Sequence, residues 1–433
     1  MATQNATLSG PALSIELYGG ILDVDAAGHF PGLELINFVV CCGDGILPGP
    51  EVSDVSIQRR SHHLARRLVA EVLLPEERDS VLIGSHSADA IAHLLRCLEL
   101  GSPGSRTART WTRTHFFPYT RSLVHWDAKD QSRRNRKVEI ERVYLRGGGA
   151  LAHAVLRHDP DQDRLAAIRE GLRELYPDDA VTPLELLAAT LLEHGKLDDS
   201  PVKDTVEPKS RCLQDDLEDL YRDGVRNILS YRQSPAVQRI RALLDWTGIW
   251  LVQMQAVRSA RWLDKPALPF IVDCTGTHPQ LRRASQRNLK EHVANVVDAV
   301  ETLAGTKEGR LAPHQLGKIR GFLGSTAWTC GLLNAAKGRR HFTLRLPAIE
   351  ALVMAAVGSG REQTFEWFTQ EWLGRQCRLV ISREAATDAG LVDAFDASIF
   401  EENERQFAQQ MRATGMLSVY SDATRMVSGD FRQ

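Results

Sequence analysis

The chain has few aromatic residues, no strong charge of either sign and no long unbroken apolar run. Aromatics make up only 6% of its 433 residues, and the formal net charge is −2. A chain this close to neutrality is no polybasic nucleic-acid coat, so any such binding has to come from local patches. The cysteines (Cys41, Cys42, Cys97, Cys212, Cys274, Cys330 and Cys377) are odd in number, irregularly spaced and without a Cys-x-x-Cys pair. That pattern argues against a zinc ribbon or a disulfide framework. No metal and no cofactor is expected, and reduced thiols in a cytoplasm fit best. The first residues lack a basic stretch followed by an apolar one, so no signal peptide is expected. The most apolar stretch, residues 242–257, is interrupted by Asp245, Gln253 and Gln255. It reads as a buried helix rather than a membrane span. No Gly-x-x-x-x-Gly-Lys-Ser/Thr loop follows a strand, so the glycines of residues 43–49 are turn glycines.

What is present is globular. Hydrophobic residues at 43% and charged residues at 25% are values of a folded chain. The length points to two or three domains. The pattern predicts a mostly α protein with an α+β amino-terminal part, a helical middle and a winged-helix-like carboxyl-terminal module. The expected divisions are residues 1–146, 150–265, 266–360 and 361–433, with an acidic linker near 197–211. In the first part, SIELYGG and LELINFVVCC read as β-rich runs. Residues 53–74 read as a helix through Leu64, Leu68 and Val72, with His62 and His63 too divergent on it to share a metal ion. In the middle, Leu165, Ile168, Leu172 and Leu175 fall on one helical face. Thr182, Pro183 and Glu185 make the start of a capping box. Trp246, Trp250 and Met254 step by four and read as core.

The strongest local anomaly is residues 101–146. Arg106, Arg109, Arg113, Arg133, Arg134, Arg136 and Lys137 stand there among Trp111, Phe116, Phe117, Tyr119, Trp126 and Tyr144, with few acids. Cations neutralise phosphates and aromatic faces stack on unpaired bases, so this segment is a candidate nucleic-acid contact. The plainer alternative is a solvated loop whose arginines pair with the acidic linker.

The best place for chemistry is residues 266–303, which read as a buried strand, a short turn and a basic helix. Asp273 ends the strand, where α/β enzymes often place a carboxylate. Fixed-spacing motifs fail around it. A phosphatase loop needs an arginine after five residues from Cys274, yet Arg282 comes after seven. The segment Arg287-Asn288-Leu289-Lys290-Glu291-His292 resembles the Arg, polar residue, spacer, His motif of HEPN ribonucleases. That resemblance implies His292 as general acid or base and Arg287 as phosphate stabiliser, in RNA cleavage without a metal. The plainer reading is a basic helix face of Arg282, Arg283, Arg287 and Lys290 laid on a phosphate backbone or an acidic partner. Lys337, Arg339 and Arg340 form a second basic turn.

At the carboxyl end, a charged helix over residues 399–413 is followed by Gly415 and the runs MLSVY and TRMV hinged at Ser421. Helix, glycine and apolar hairpin is similar to a winged-helix end. It also looks like the tails of helical accessory proteins in bacterial phage-defence and DNA-modification operons. The helix is acidic (Glu401, Glu402, Glu404), which favours docking a protein over reading a major groove.

Together these features point to a non-catalytic, DNA-associated accessory subunit of a bacterial multi-protein defence or DNA-processing system. Its partners would be a DNA or RNA backbone and other subunits, with homo-oligomers open and no membrane. A HEPN-like ribonuclease or toxin is one alternative, and a structural helical scaffold for protein interactions is another.

Overall fold

The computed structural model describes residues 7–24, 30–52, 55, 57–58, 85–100, 115–124, 128–130, 138–140, 147–177, 182–183, 185–186, 193, 201–202, 212–276, 278–393, 395–421 and 423–430. The chain is mostly helical, with small sheets. The amino-terminal part holds β1 (Thr7–Leu8), α1 (Gly10–Tyr18), α2 (Pro31–Cys41), β2 (Ile57–Gln58), α3 (Ser85–Cys97), β3 (Glu99–Leu100), β4 (His115–Phe116), β5 (Ala128–Asp130) and β6 (Val138–Ile140). The middle holds α4 (Gly149–Arg157), α5 (Gln162–Leu175), β7 (Pro201–Val202), α6 (Asp216–Ser230) and α7 (Ala236–Trp262). Next come β8 (Phe270–Ile271), α8 (Pro279–Gly305), β9 (Arg310–Leu311), α9 (Pro313–Thr329) and α10 (Leu346–Val357). The last part holds β10 (Gln363–Thr364), α11 (Phe365–Trp367) running into a π-helical segment (Phe368–Gln376), β11 (Leu379–Val380), α12 (Arg383–Asp388), α13 (Ala397–Ala413), β12 (Leu417–Val419) and β13 (Arg425–Val427).

Helix α7 is the axis of the fold. It is buried on every side over residues 245–260, as only a helix surrounded by others can be. It packs against α1, α2, α6, α8, α9 and α10. Trp246, Trp250 and Met254 are fully buried on it. Its polar side chains are spent on neighbours: Gln253 Nε2 donates to the Cys377 carbonyl at 2.8 Å and Gln255 Nε2 to the Ile319 carbonyl at 3.2 Å. Gly224 on α6 lets that helix close on Trp246, because a Cβ there would stand 2.4 Å from the indole ring. One hydrophobic cluster runs from Leu13 to Val427, so residues on both sides of the expected divisions near 148, 265 and 360 share a core.

The two amino-terminal β readings are corrected. SIEL lies within α1 and LELINFVVC within α2. Ser9 caps α1 by accepting from the Ala12 amide, and a proline sits in the first turn of each helix. Every residue of α2 is buried, and a wholly buried helix shows no polar stripe to betray its period. Elsewhere local chemistry is followed closely. Leu165, Ile168, Leu172 and Leu175 are buried on α5. Thr182 and Glu185 close the capping box reciprocally, at 3.1 and 3.2 Å. The helix expected over residues 53–74, with His62 and His63, lies outside the described residues, as does nearly all of the 197–211 linker. No helix among the described residues is long and apolar enough to cross a membrane.

A second polar feature ties the middle together. Glu218, at the start of α6, is fully buried. It accepts from the Leu213 and Gln214 amides and pairs with Arg258 at 2.9 Å and Arg222 at 3.4 Å. Arg164, Asp159, Asp219 and Asp215 extend the network between α5, α6 and α7. Buried charge of this kind is held only when paired and hydrogen-bonded on every side.

Candidate nucleic-acid interface

Strand β8 runs parallel to β11, with Phe270 opposite Leu379. Beyond it the Val272 amide donates to the Val380 carbonyl at 3.2 Å and the Asp273 amide to the Phe342 carbonyl at 2.9 Å. The chain then has to reverse into α8. Asp273 makes this possible as an Asx turn: its Oδ1 accepts from the Thr275 amide at 3.1 Å, the Thr275 hydroxyl at 2.7 Å and the Gly276 amide at 2.9 Å. Gly276 takes a φ of +63°, the left-handed conformation glycine adopts without strain. His278 caps α8, and Pro279 fills its first position. The positive end of a 27-residue helix thus lies at the carboxyl edge of a buried strand.

Asn403 of α13 fastens this turn from behind. Its Oδ1 accepts from the Cys274 amide at 2.8 Å, and its Nδ2 donates to the Val272 and Ile381 carbonyls at 2.9 and 3.1 Å. Gln410 Nε2 donates to the Cys274 carbonyl at 3.1 Å. Burial, helped by the Asp273 carboxylate, pushes the Cys274 thiol up, which leaves it no nucleophilic thiolate near neutral pH.

The basic residues expected on this stretch arrive in two groups, one on α8 and one on a turn packed beside it. Arg283, Arg287 and Lys290 are exposed at spacings of four and three, which places them on one face of α8. The turn from Lys337 to His341 comes back beside the amino end of that helix. Ser285 Oγ accepts from the Phe342 amide at 2.8 Å across 57 residues of sequence. Asn334 Oδ1 accepts from the His341 amide at 2.9 Å and closes the turn, in which Gly338 has a φ of +87°. Lys337 and Arg339 are exposed, while Arg340 folds its guanidinium over Gly324 on α9. Asp273 Oδ2 faces the junction of the two groups, 3.8 Å from Arg282 Nε and 3.7 Å from His341 Nε2. Burial lowers the His341 pKa, the Asp273 charge raises it and the Arg282 charge lowers it again.

Among the described residues, Arg283, Arg287, Lys290, Lys337 and Arg339 make no ion pair. The acids of α13 contrast with them: Glu401 pairs with Arg383, Glu402 with Arg405 and Glu404 with Arg425. The acidic helix therefore does not neutralise the basic surface.

The pair suggested by the ribonuclease resemblance is not assembled here. Arg287 is exposed on α8, whereas His292 is 2% exposed and points inward. Its ring stacks on Phe270 with centroids 4.2 Å apart, and its Nε2 lies 3.2 Å from the Pro269 carbonyl. Asn288, one turn earlier on the same face, accepts from the Ile271 amide at 3.0 Å and donates to the Pro269 carbonyl at 2.9 Å. These two side chains fasten β8 to α8. Burial pushes the His292 pKa down to about 4, so the ring is neutral near pH 7.

Arg106, Arg109, Arg113, Arg133, Arg134, Arg136 and Lys137 lie outside the described residues. His341, Asn334, Ser285 and Asn403 were not singled out from the sequence. His341, Ser285 and Asn403 act across long sequence separations that no local pattern signals, while Asn334 closes a turn seven residues wide. No group of three or more histidine, cysteine or acidic side chains able to hold a metal ion occurs among the described residues. No protein-family model matches the chain, and neither a curated protein nor a solved structure matches it.

Proposed function

We infer that this is a non-catalytic, nucleic-acid-associated accessory protein that grips a phosphate backbone along α8 and the Lys337–Arg340 turn. The observation that carries the reading is the set of exposed cations without ion pairs on α8 and on the turn that packs against the amino-terminal half of the same helix. From Arg283 to Lys290 the helix rises about 10 Å, the axial length of about three nucleotides of a duplex strand. A helix amino end adds its own attraction for anions. The basic segment 106–146 is a second contact in this reading. The sequestered His292 favours the binding reading over the ribonuclease alternative.

The carboxyl-terminal module is read as winged-helix-like. Its strand order β10-β13-β12, antiparallel throughout, with α13 leading into the β12–β13 hairpin, supports that reading. The insertion of β11 and α12 between the helices departs from the simplest form of such a module. Its acidic helix is internally paired, and Val419 and Tyr420 are exposed at the hairpin. A protein partner suits this surface better than a groove of DNA. Within a bacterial phage-defence or DNA-modification assembly, the basic surface would hold nucleic acid while the module joins another subunit.

The test is binding of a labelled oligonucleotide at low salt. Arg287→Glu combined with Arg339→Glu weakens binding by about tenfold or more, since each removes a phosphate contact and adds a repulsive charge. Unchanged binding by the double variant removes the α8 surface from the account. Charge reversal at Arg133, Arg134 and Arg136 measures the other segment separately.

A further inference from the structure

Two buried polar atoms face each other without a hydrogen bond beneath the rim of the basic surface, Oδ2 of Asp273 and Nε of Arg282, with Nε2 of His341 beside them. Asp273 is fully buried and His341 is 7% exposed. The two oxygens of Asp273 are treated very differently. Oδ1 takes three hydrogen bonds from its own turn. Oδ2 takes none and is held beyond hydrogen-bond distance of His341 Nε2 and Arg282 Nε, at 3.7 and 3.8 Å. Native proteins rarely leave a buried carboxylate oxygen without a hydrogen bond, and this one marks a place for a donor that is not part of the chain.

The chemistry of that group follows from the donors and acceptors present. A carboxylate oxygen only accepts, so it repels a phosphate and calls for a hydroxyl or an amine. Around it stand phosphate binders: the Arg282 guanidinium and the amino end of α8. A hydroxyl donor flanked by phosphates is a ribose within a ribonucleotide. Dinucleotide-binding folds likewise hold a ribose hydroxyl with an acid and a phosphate at a helix amino end, although there the acid follows the phosphate-binding helix.

We propose that Asp273 Oδ2, beside His341, accepts the 2′-hydroxyl of a ribonucleotide whose phosphate is held by Arg282 at the start of α8. The inference rests on the reading of this surface as a phosphate track and adds that the track selects RNA over DNA. Arg282 is the cover of the site. Its side chain is 39% exposed, and its Nη2 donates to the Gly276 carbonyl across the mouth of the turn. Turning outward to a phosphate, it uncovers Oδ2. Space for the incoming sugar lies at Gly276, where, its chain neighbours aside, no atom of the described residues stands within 4 Å of a Cβ position.

The experiment compares RNA and DNA oligonucleotides of one sequence, free of uracil and thymine, on the full-length protein and on Asp273→Asn. The asparagine keeps Oδ1 for the turn and replaces the accepting Oδ2 by a donor. Wild type binds the RNA about tenfold or more tightly than the DNA, and the variant binds both as wild type binds DNA. Competition by ADP and 2′-deoxy-ADP identifies the source. A wild-type preference for ADP that Asp273→Asn abolishes shows that a free ribonucleotide fills the site, and it supports the proposal even if no polynucleotide binds. Equal, salt-sensitive binding of RNA and DNA by wild type overturns the proposal and leaves the phosphate track standing. Retained RNA preference in Asp273→Asn, with an unchanged circular dichroism spectrum, overturns it as well.

Discussion

His292 makes the sharpest prediction about the strand-to-helix unit, because its burial is a statement about pH. The ring is 2% exposed, stacked 4.2 Å from Phe270 and edge-on to Phe342 at 5.8 Å. Desolvation lowers its pKa to about 4 from an ordinary 6.5, against a smaller upward pull from the Pro269 carbonyl. In the unfolded chain the ring takes a proton near its ordinary pKa, and in the folded chain it resists until about pH 4. The unfolded state therefore binds more protons between these limits, and stability falls as the pH falls. The contribution is fully present above about 6.5 and is lost as the pH drops toward about 4. At about 1.4 kcal/mol per pH unit, the window is worth about 3 kcal/mol. The perturbation is His292→Gln, which keeps an amide donor for Pro269 but does not titrate. Urea unfolding at a series of pH values from about 7 to 4.5 gives the difference between wild type and variant. Wild type is the more stable near pH 7, and its advantage shrinks by about 2 to 3 kcal/mol toward the acid end. A difference that stays constant with pH, or an imidazole that titrates near its ordinary value by NMR, refutes the reasoning. It would also return His292 to the solvent-facing role that catalysis requires.

Other side chains give predictions of the same kind. Asn403→Ala strips partners from the Cys274 amide and the Val272 and Ile381 carbonyls. It lowers stability by about 3 kcal/mol, and hydrogen exchange shows residues 270–276 and α13 losing protection together. Glu218→Gln leaves Arg222 and Arg258 buried with less compensating charge, and costs about 3 kcal/mol by urea unfolding at neutral pH. Asp245 acts in the opposite sense to a paired acid. Burial raises its pKa to about 7, only partly opposed by Arg241 and Arg345, so its contribution is present below about 3.8 and lost as the pH rises through about 7. Asp245→Asn accordingly stabilises the protein by about 2 kcal/mol near pH 8, a gain that disappears in acid.

The parts of the fold that were legible in the sequence are those fixed by short-range chemistry. The Thr182–Glu185 capping box, the apolar face of α5, the strand, turn and helix of residues 270–305 and the hairpin after Gly415 all announce themselves within a few residues. Helix α2 did not, because a helix buried on all sides offers only a run of apolar residues that a strand would share. The candidate site was legible in part. The cations of α8 and of the Lys337 turn stand out by charge, but the packing of that turn on α8 depends on Ser285 and Phe342. The Arg287 to His292 motif shows the converse hazard. Asn288 and His292 share a helical spacing because both hold the edge of β8, and the same spacing resembles a catalytic motif.

The most direct test of the phosphate track is the salt dependence of oligonucleotide binding by wild type and by the combined Arg283→Glu, Arg287→Glu, Lys290→Glu variant. Each lost phosphate contact removes about 0.7 to 0.9 from the slope of log affinity against log salt. The account predicts a slope shallower by about 2 to 3 in the variant, with weaker binding at every salt concentration. A variant whose slope and low-salt affinity match wild type would contradict it.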